Sequence, residues 1–234
     1  MNYFYQPDIS DSNQKLEGDE FTHCTRVLRS RVGDHIGILD GKGGFYKVEI
    51  TSIQGKNLDF RILEKKQKPA KPFHHHIAIA PTKNIDRIEW FVEKACELGV
   101  DEISFILTKN SERNKLRIDR LEKKAISALK QSKSGFLTKV NALVKFPAFI
   151  KSIAESNTDK YIAYVADGLP YLADQVKPSS PTLTLIGPEG DFDPSEVEMA
   201  MDSGFEKISL GNNTLRTETA GIVAAQFLNI ANKY

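Results

Sequence analysis

Cysteine is scarce in this chain of 234 residues: only Cys24 and Cys96 occur, far apart and without a repeated spacing. A pair so separated builds no disulfide framework and no Cys-rich zinc site, and it fits a reducing compartment. Long apolar runs are missing as well. No stretch approaches the roughly 18 consecutive apolar residues of a membrane span. The opening Met1-Asn2-Tyr3-Phe4-Tyr5-Gln6-Pro7-Asp8 has neither the basic start nor the apolar middle of a secretion signal. No membrane partner is expected, and the cytoplasm is the expected location. Internal repeats and low-complexity tracts are absent too. Histidine is rare, yet three of the five stand together as His74-His75-His76. Neighbours in a strand point to opposite faces and no Cys or carboxylate cluster accompanies them, so no metal is expected.

What is present is ordinary in bulk and uneven in distribution. Hydrophobic residues make up 40% and charged residues 27%, the composition of a soluble globular protein. The length suits one small and one medium domain. The net charge of +1 hides a strong asymmetry. Residues 1–108 carry 15 basic against 16 acidic residues, residues 109–151 carry 12 against 3, and residues 152–234 carry 5 against 12. The middle segment, with Arg113 and Lys133 in it, is basic enough to meet a polyanion. A solvated helix face explains it equally well on this feature alone.

The first seventy residues alternate in the period of half-buried strands, as in Tyr46-Lys47-Val48-Glu49-Ile50 and Leu58-Asp59-Phe60-Arg61-Ile62-Leu63, separated by Gly/Asp/Asn turns. Only the stretch around Glu20–Ser30 looks helical. Glu64 to Pro72, rich in Lys and Pro, reads as a linker. The expected domains are therefore 1–71 and 72–234. From residue 73 the pattern changes to short apolar strands alternating with amphipathic helices, which means a parallel sheet covered on both faces. Asn84 is a candidate cap for a helix ending before Gly99, in which Trp90 is expected at core or an interface and Cys96 acts as a small hydrophobe. A basic helix is expected over about 114–132.

Two segments carry chemistry. Leu185-Ile186-Gly187-Pro188-Glu189-Gly190-Asp191-Phe192-Asp193-Pro194-Ser195-Glu196 leaves a strand and enters a helix. Asp193, Pro194 and Glu196 form a capping arrangement there, and the glycines let backbone come close to a ligand. Leu210-Gly211-Asn212-Asn213-Thr214-Leu215-Arg216-Thr217-Glu218-Thr219 repeats the strand-to-helix pattern, with Thr217 and Thr219 as candidate caps. In open parallel sheets ligands bind at the carboxyl ends of strands. Each segment alone is also what a tight strand exit needs, and Arg216 with Glu218 also reads as a surface ion pair near a helix start.

Taken together, these two segments and Val92-Glu93-Lys94-Ala95-Cys96-Glu97-Leu98-Gly99-Val100 resemble the 16S ribosomal RNA uridine-N3 methyltransferases of the SPOUT superfamily. The N-terminal His23, Val27-Leu28-Arg29, Gly33-Asp34 and Asp40-Gly41 resemble that family's PUA-like barrel. The resemblance implies an α/β fold: a SPOUT-type parallel sheet with a trefoil knot, preceded by a small PUA-like β-barrel that binds RNA. It implies S-adenosyl-L-methionine held by Leu185, Ile186, Gly187, Pro188, Glu189, Gly190, Leu210, Gly211, Leu215 and Arg216. It also implies a homodimer acting on 16S rRNA of the small ribosomal subunit. Arg216 is the candidate for stabilising a deprotonated uridine, and Glu218 for accepting its proton or holding Arg216. His23, Arg26, Arg29, Arg31, Arg113 and Lys133 are the candidate RNA contacts. The chain departs from the family in having Asp191 where a second glycine is usual. A SPOUT enzyme acting on transfer RNA or 23S rRNA, and a non-catalytic assembly factor, remain open beside this reading.

Overall fold

Strand-period residues dominate the start of the chain and buried apolar runs the remainder, and each builds its own sheet. The computed structural model describes residues 1–233; Tyr234, the last residue of the expected second domain, lies outside them. Compactness divides the chain into Met1–Ala70 with Ile126–Leu137, and Lys71–Ala125 with the residues from Thr138 onward.

The first unit holds a five-stranded sheet in the order β1-β3-β4-β5-β2. Its strands are β1 (Tyr3–Tyr5), β2 (Lys15–Leu16), β3 (His35–Leu39), β4 (Gly44–Gln54) and β5 (Asn57–Gln67). β1 runs parallel to β3, and the other pairs are antiparallel. Alternation along β4 buries Tyr46, Val48 and Ile50 against Phe4, Leu16, Ile38, Leu58 and Phe60. The helical stretch expected near Glu20 is a short α1 (Gly18–Thr22) running into a π-helical turn, His23–Val27. Two expectations are corrected. The linker proposed from Glu64 is strand as far as Gln67, because a register shift lets it pair with Gly44–Lys47. Residues 126–137, read from sequence as C-terminal, pack with the first unit: the Gly43 amide donates to the Gly135 carbonyl, and Lys130 pairs with Glu20 at 2.6 Å.

The second unit holds a six-stranded, wholly parallel sheet in the order β11-β9-β10-β6-β7-β8. These are β6 (His75–Ile79), β7 (Glu102–Leu107), β8 (Lys139–Lys145), β9 (Asp159–Ala163), β10 (Thr182–Ile186) and β11 (Glu206–Ile208). The central β10 is buried along its whole length, as a strand covered on both faces must be. One face meets α4 (Phe146–Ser152) and α6 (Pro194–Asp202) through Ala78, Leu183, Leu185, Phe149, Val197 and Phe205. α2 (Ile85–Glu97), α5 (Leu172–Gln175) and α7 (Thr217–Ala231) are packed together, with α7 against β6 and β10. The close approach of α7 to α2 needs Gly221, where an added Cβ would meet the Phe91 ring at 2.5 Å. Phe91 is itself fully buried, a position where truncation to Ala costs about 3–5 kcal/mol.

α3 (Ile118–Ser132) begins four residues later than expected. α2 starts as read, with the Asn84 side chain accepting from the Asp86 amide, and Gly99 follows its end at φ +74°. Cys96 is buried, and burial pushes its thiol up to about 11, so it behaves as a small apolar side chain. Trp90 is not core: it lies on α2 with 45% of its surface exposed.

Candidate active site

Three chain segments converge at the carboxyl ends of β9, β10 and β11. The first leaves β10 as Gly187 to Phe192 and enters α6. Its geometry follows from a capping box: the Asp193 side chain accepts from the Ser195 amide, and Glu196 Oε2 accepts from the Asp193 amide at 3.0 Å. Lys109, just beyond β7, fixes both acids. Its Nζ lies 2.8 Å from Asp193 Oδ1 and its backbone amide donates to Glu196 Oε1 at 2.9 Å. Lys109 and Ser195 hold the Asp193 carboxyl down at about 2. Asn110 clamps the turn itself, its Nδ2 donating to the carbonyls of Gly190 and Asp191.

The second segment leaves β11 and enters α7 through residues that make few bonds. Gly211 has φ +139°, a backbone conformation that L side chains rarely adopt. Gly211 to Thr214 are exposed. The helix cap is Arg216, without a side-chain cap hydrogen bond, so neither Thr217 nor Thr219 caps α7 as sequence suggested. Thr217 is already the first helical residue. Among the described residues no carboxylate lies within ion-pair distance of the exposed Arg216.

The third segment, Tyr164 to Tyr171 after β9, is tied to the second. The Tyr164 amide donates to the Ile208 carbonyl, Ser209 to the Pro170 carbonyl, and the Tyr171 hydroxyl to Asn212 Oδ1 at 2.6 Å. Between the three segments lies a cavity of about 880 Å³, in the size range of small-molecule and cofactor pockets.

Of the residues assigned to a cofactor from sequence, Ile186, Gly187, Pro188, Glu189, Leu210, Gly211, Leu215 and Arg216 line this cavity. Leu185 does not; it is fully buried in the core beneath. Gly190 faces Asn110 instead. Glu218 is also absent from the lining. It is 7% exposed, its Oε1 is 3.6 Å from Arg87 Nε on α2, and its Oε2 has no hydrogen-bond partner among the described residues. Arg216 and Glu218 are thus not brought together: Arg216 is the extended cap residue at the cavity wall, whereas Glu218 in the first turn of α7 faces Arg87. Sequence reading missed the 163–171 wall, Asp191, and Ser209 with Asn212 to Thr214 beside the predicted Leu210 and Gly211. No local signal marks the first of these, whereas Asp191 stood inside a motif already singled out.

The candidate RNA residues fall in different places. In the first unit, Arg26, Arg29 and Arg31 are exposed beside the exposed Val27 and Val32. His23 is half-buried with its ring 5.8 Å from that of Phe4, and Lys133 Nζ lies 5.5 Å from the Tyr3 ring centroid. In the second unit, the Arg113 guanidinium donates to the carbonyls of Thr82 and Lys83, so it orders the loop before α2. Much of the basic segment is ion-paired: Arg117 to Asp119, Arg120 to Glu89, Lys139 to Glu102. His75 and His76 are held down at about 4, mainly by burial. No group of three potential metal ligands occurs among the described residues, and no described helix is long and apolar enough to cross a membrane.

A parallel sheet with its cavity at strand ends, and a separate unit with its own five-stranded sheet, have counterparts among known proteins. A family model described as the RNA methyltransferase domain matches residues 69–229, and one described as the RNA methyltransferase PUA domain matches residues 16–63. The chain belongs to this RNA methyltransferase family. It is similar to the solved structure of a probable rRNA-methyltransferase from Porphyromonas gingivalis, with 39% identity, coverage of 100% of this chain and 99% of that one, and a TM-score of 0.89. It is also similar to a ribosomal RNA small subunit methyltransferase E from Neisseria gonorrhoeae bound to S-adenosyl methionine, at 25% identity, 99% and 98% coverage and a TM-score of 0.85. A curated relative, ribosomal RNA small subunit methyltransferase E of Rickettsia conorii, is 28% identical over 92% of this chain and 88% of its own length.

Proposed function

We propose that this chain transfers a methyl group from S-adenosyl-L-methionine to N3 of a specific uridine in 16S rRNA of the small ribosomal subunit. The observation that carries the reading is the cavity itself. Its size, its place at the strand ends and its wall of Ile186–Glu189, Leu210-Gly211 and Leu215-Arg216 suit a cofactor of this kind. When bound, the cofactor supplies a methyl group made electrophilic by its sulfonium.

The protein must then present the nucleophile and handle one proton. Uridine N3 is a poor nucleophile until it loses its proton, so an environment favouring the anion is required. Arg216 sits at the cavity wall with no acidic partner among the described residues, so its guanidinium can stabilise that anion. Glu218, buried beside Arg87, supports the first turn of α7 in this scheme and leaves proton removal to the anion-stabilising surroundings or to solvent.

RNA would be gripped by the PUA-like domain, residues 1–71, through His23, Arg26, Arg29 and Arg31, with Lys133 contributing. Arg113, engaged with backbone carbonyls, drops from that set to a positioning role. The methyltransferase domain, 72–234, would carry the trefoil knot and pair as a homodimer. The exposed Trp90 on α2 and Ile230 on α7 are compatible with such an interface. A cytoplasmic location follows from the substrate.

The test is incubation of the purified chain with radiolabelled cofactor and total RNA, ribosomal and transfer, from a strain lacking the gene, followed by mass mapping. One N3-methyluridine in 16S RNA is expected. Label appearing in transfer RNA or 23S rRNA instead would replace the substrate assignment, and label nowhere would favour a non-catalytic assembly factor.

A further inference from the structure

We infer that Asp191 is the counter-charge of the binding cavity, a carboxylate placed to pair with a cationic group of the cofactor. The inference rests on the cofactor reading above and deepens it.

Four features point to this role. Asp191 lines the cavity and is half-buried there. The other lining acids are differently placed: Asp167 is exposed, and the exposed Glu189 accepts from the Lys83 amide. Asp191 has no cation within ion-pair distance among the described residues, and burial pushes its carboxyl up. A half-buried carboxylate with no cationic partner is costly, and a ligand cation would relieve that cost.

The carboxylate is also held in place. Asp191 adopts φ +58°, a left-handed conformation unusual for a residue other than glycine. Such strain persists where the surroundings impose it, and here they do so from three sides. Asn110 grips the carbonyls of Gly190 and Asp191. The neighbouring Phe192 is buried in the core. Asp191 Oδ1 accepts from the Phe192 amide at 2.8 Å and lies 3.2 Å from where a Cβ on Gly187 would stand. The hydrogen bond found for this carboxylate among the described residues is to Oδ1, which leaves Oδ2 open to a ligand.

S-adenosylmethionine carries two cationic groups, a sulfonium and an ammonium, against one carboxylate. Charges in the cavity wall, with Asp167, Glu189 and Asp191 against Arg216, complement a ligand of net positive charge. The demethylated product keeps the ammonium and loses the sulfonium charge, and this separates the two possible partners.

Titration calorimetry on the whole protein tests the inference with S-adenosylmethionine and S-adenosylhomocysteine. The variants are Asp191→Asn, which keeps size and tolerates a positive φ, and Asp191→Gly, which removes the strain and so preserves the fold. Both are expected to weaken S-adenosylmethionine about tenfold or more, the scale of one charge-assisted contact. If S-adenosylhomocysteine is unaffected, the sulfonium is the partner; if it weakens equally, the ammonium is. Unchanged affinity for S-adenosylmethionine in both variants, with wild type binding, overturns the inference alone. Wild type that binds neither compound removes the cofactor reading and the inference with it.

Discussion

The two strand-to-helix junctions that frame the cavity are built on opposite principles. Between β10 and α6 nearly every polar group is committed: Asp193 and Glu196 cap each other's backbone, Lys109 ties both, and Asn110 clamps the turn. Between β11 and α7 the cap is an exposed arginine with no cap bond, and the four residues Gly211 to Thr214 are exposed. Anchored junctions hold a shape, and uncommitted ones leave donors for a ligand. Rigid elements position a site more precisely than loops do, so the first junction acts as the fixed wall and the second as the adaptable one.

Removing Arg216 should sharpen this contrast most. Arg216→Ala is expected to lower single-turnover methylation at least about 100-fold, as loss of a charge-stabilising donor does. Its melting temperature should remain near that of wild type, because the side chain makes no cap hydrogen bond and no ion pair among the described residues. Full methylation by this variant would break the assignment. At the other junction the same experiment should read the other way. Asp193→Ala removes the helix cap and is expected to lower the melting temperature by about 2–4 °C in a chain this size, with methylation nearly intact at 25 °C.

Acid should separate the junctions further. The Asp193 carboxyl is lowered from 3.8 to about 2, so its contribution is complete above pH 3.8 and is lost as pH falls through about 2. Asp193→Asn keeps a capping side chain without the charge. Its stability should fall less steeply than that of wild type across this window, as read by chemical denaturation at stepped pH. An unchanged slope would mean that the Lys109 pair adds nothing measurable, the usual result for an exposed pair. The smallest effect is expected from Tyr171→Phe, which removes one exposed bond to Asn212. Cofactor affinity should drop a few-fold at most, while a tenfold loss would show the 163–171 segment to be a main binding element.

Much of this was legible in residue order. The capping box at Asp193, the Asn84 cap and the apolar strands Ile77–Ala80 and Leu183–Ile186 obey local rules, and local rules survive folding. Cavity-lining positions such as Gly187 and Gly211 were readable for the same reason: strand exits in parallel sheets collect ligands. Other features were not. Glu218 looked like a partner of Arg216 because the two are close in sequence, yet it faces Arg87, 131 positions away. β8 and the 163–171 wall carry no periodic signal of their own; they take their form from β7 and from the Ser209 region.

The sequence by itself determined that there are two sheets of different kind and which glycine-bearing turns line the cavity between strand and helix. These follow from side-chain period, glycine and proline geometry and caps, which act over a few residues. Only the tertiary structure decided which charges meet. It spent Arg113 on carbonyls, turned Glu218 away from the cavity, and left Asp191 in the wall with no cationic partner among the described residues. Partner choice among charges depends on distance and burial, and those exist only once strands and helices remote in sequence have packed together.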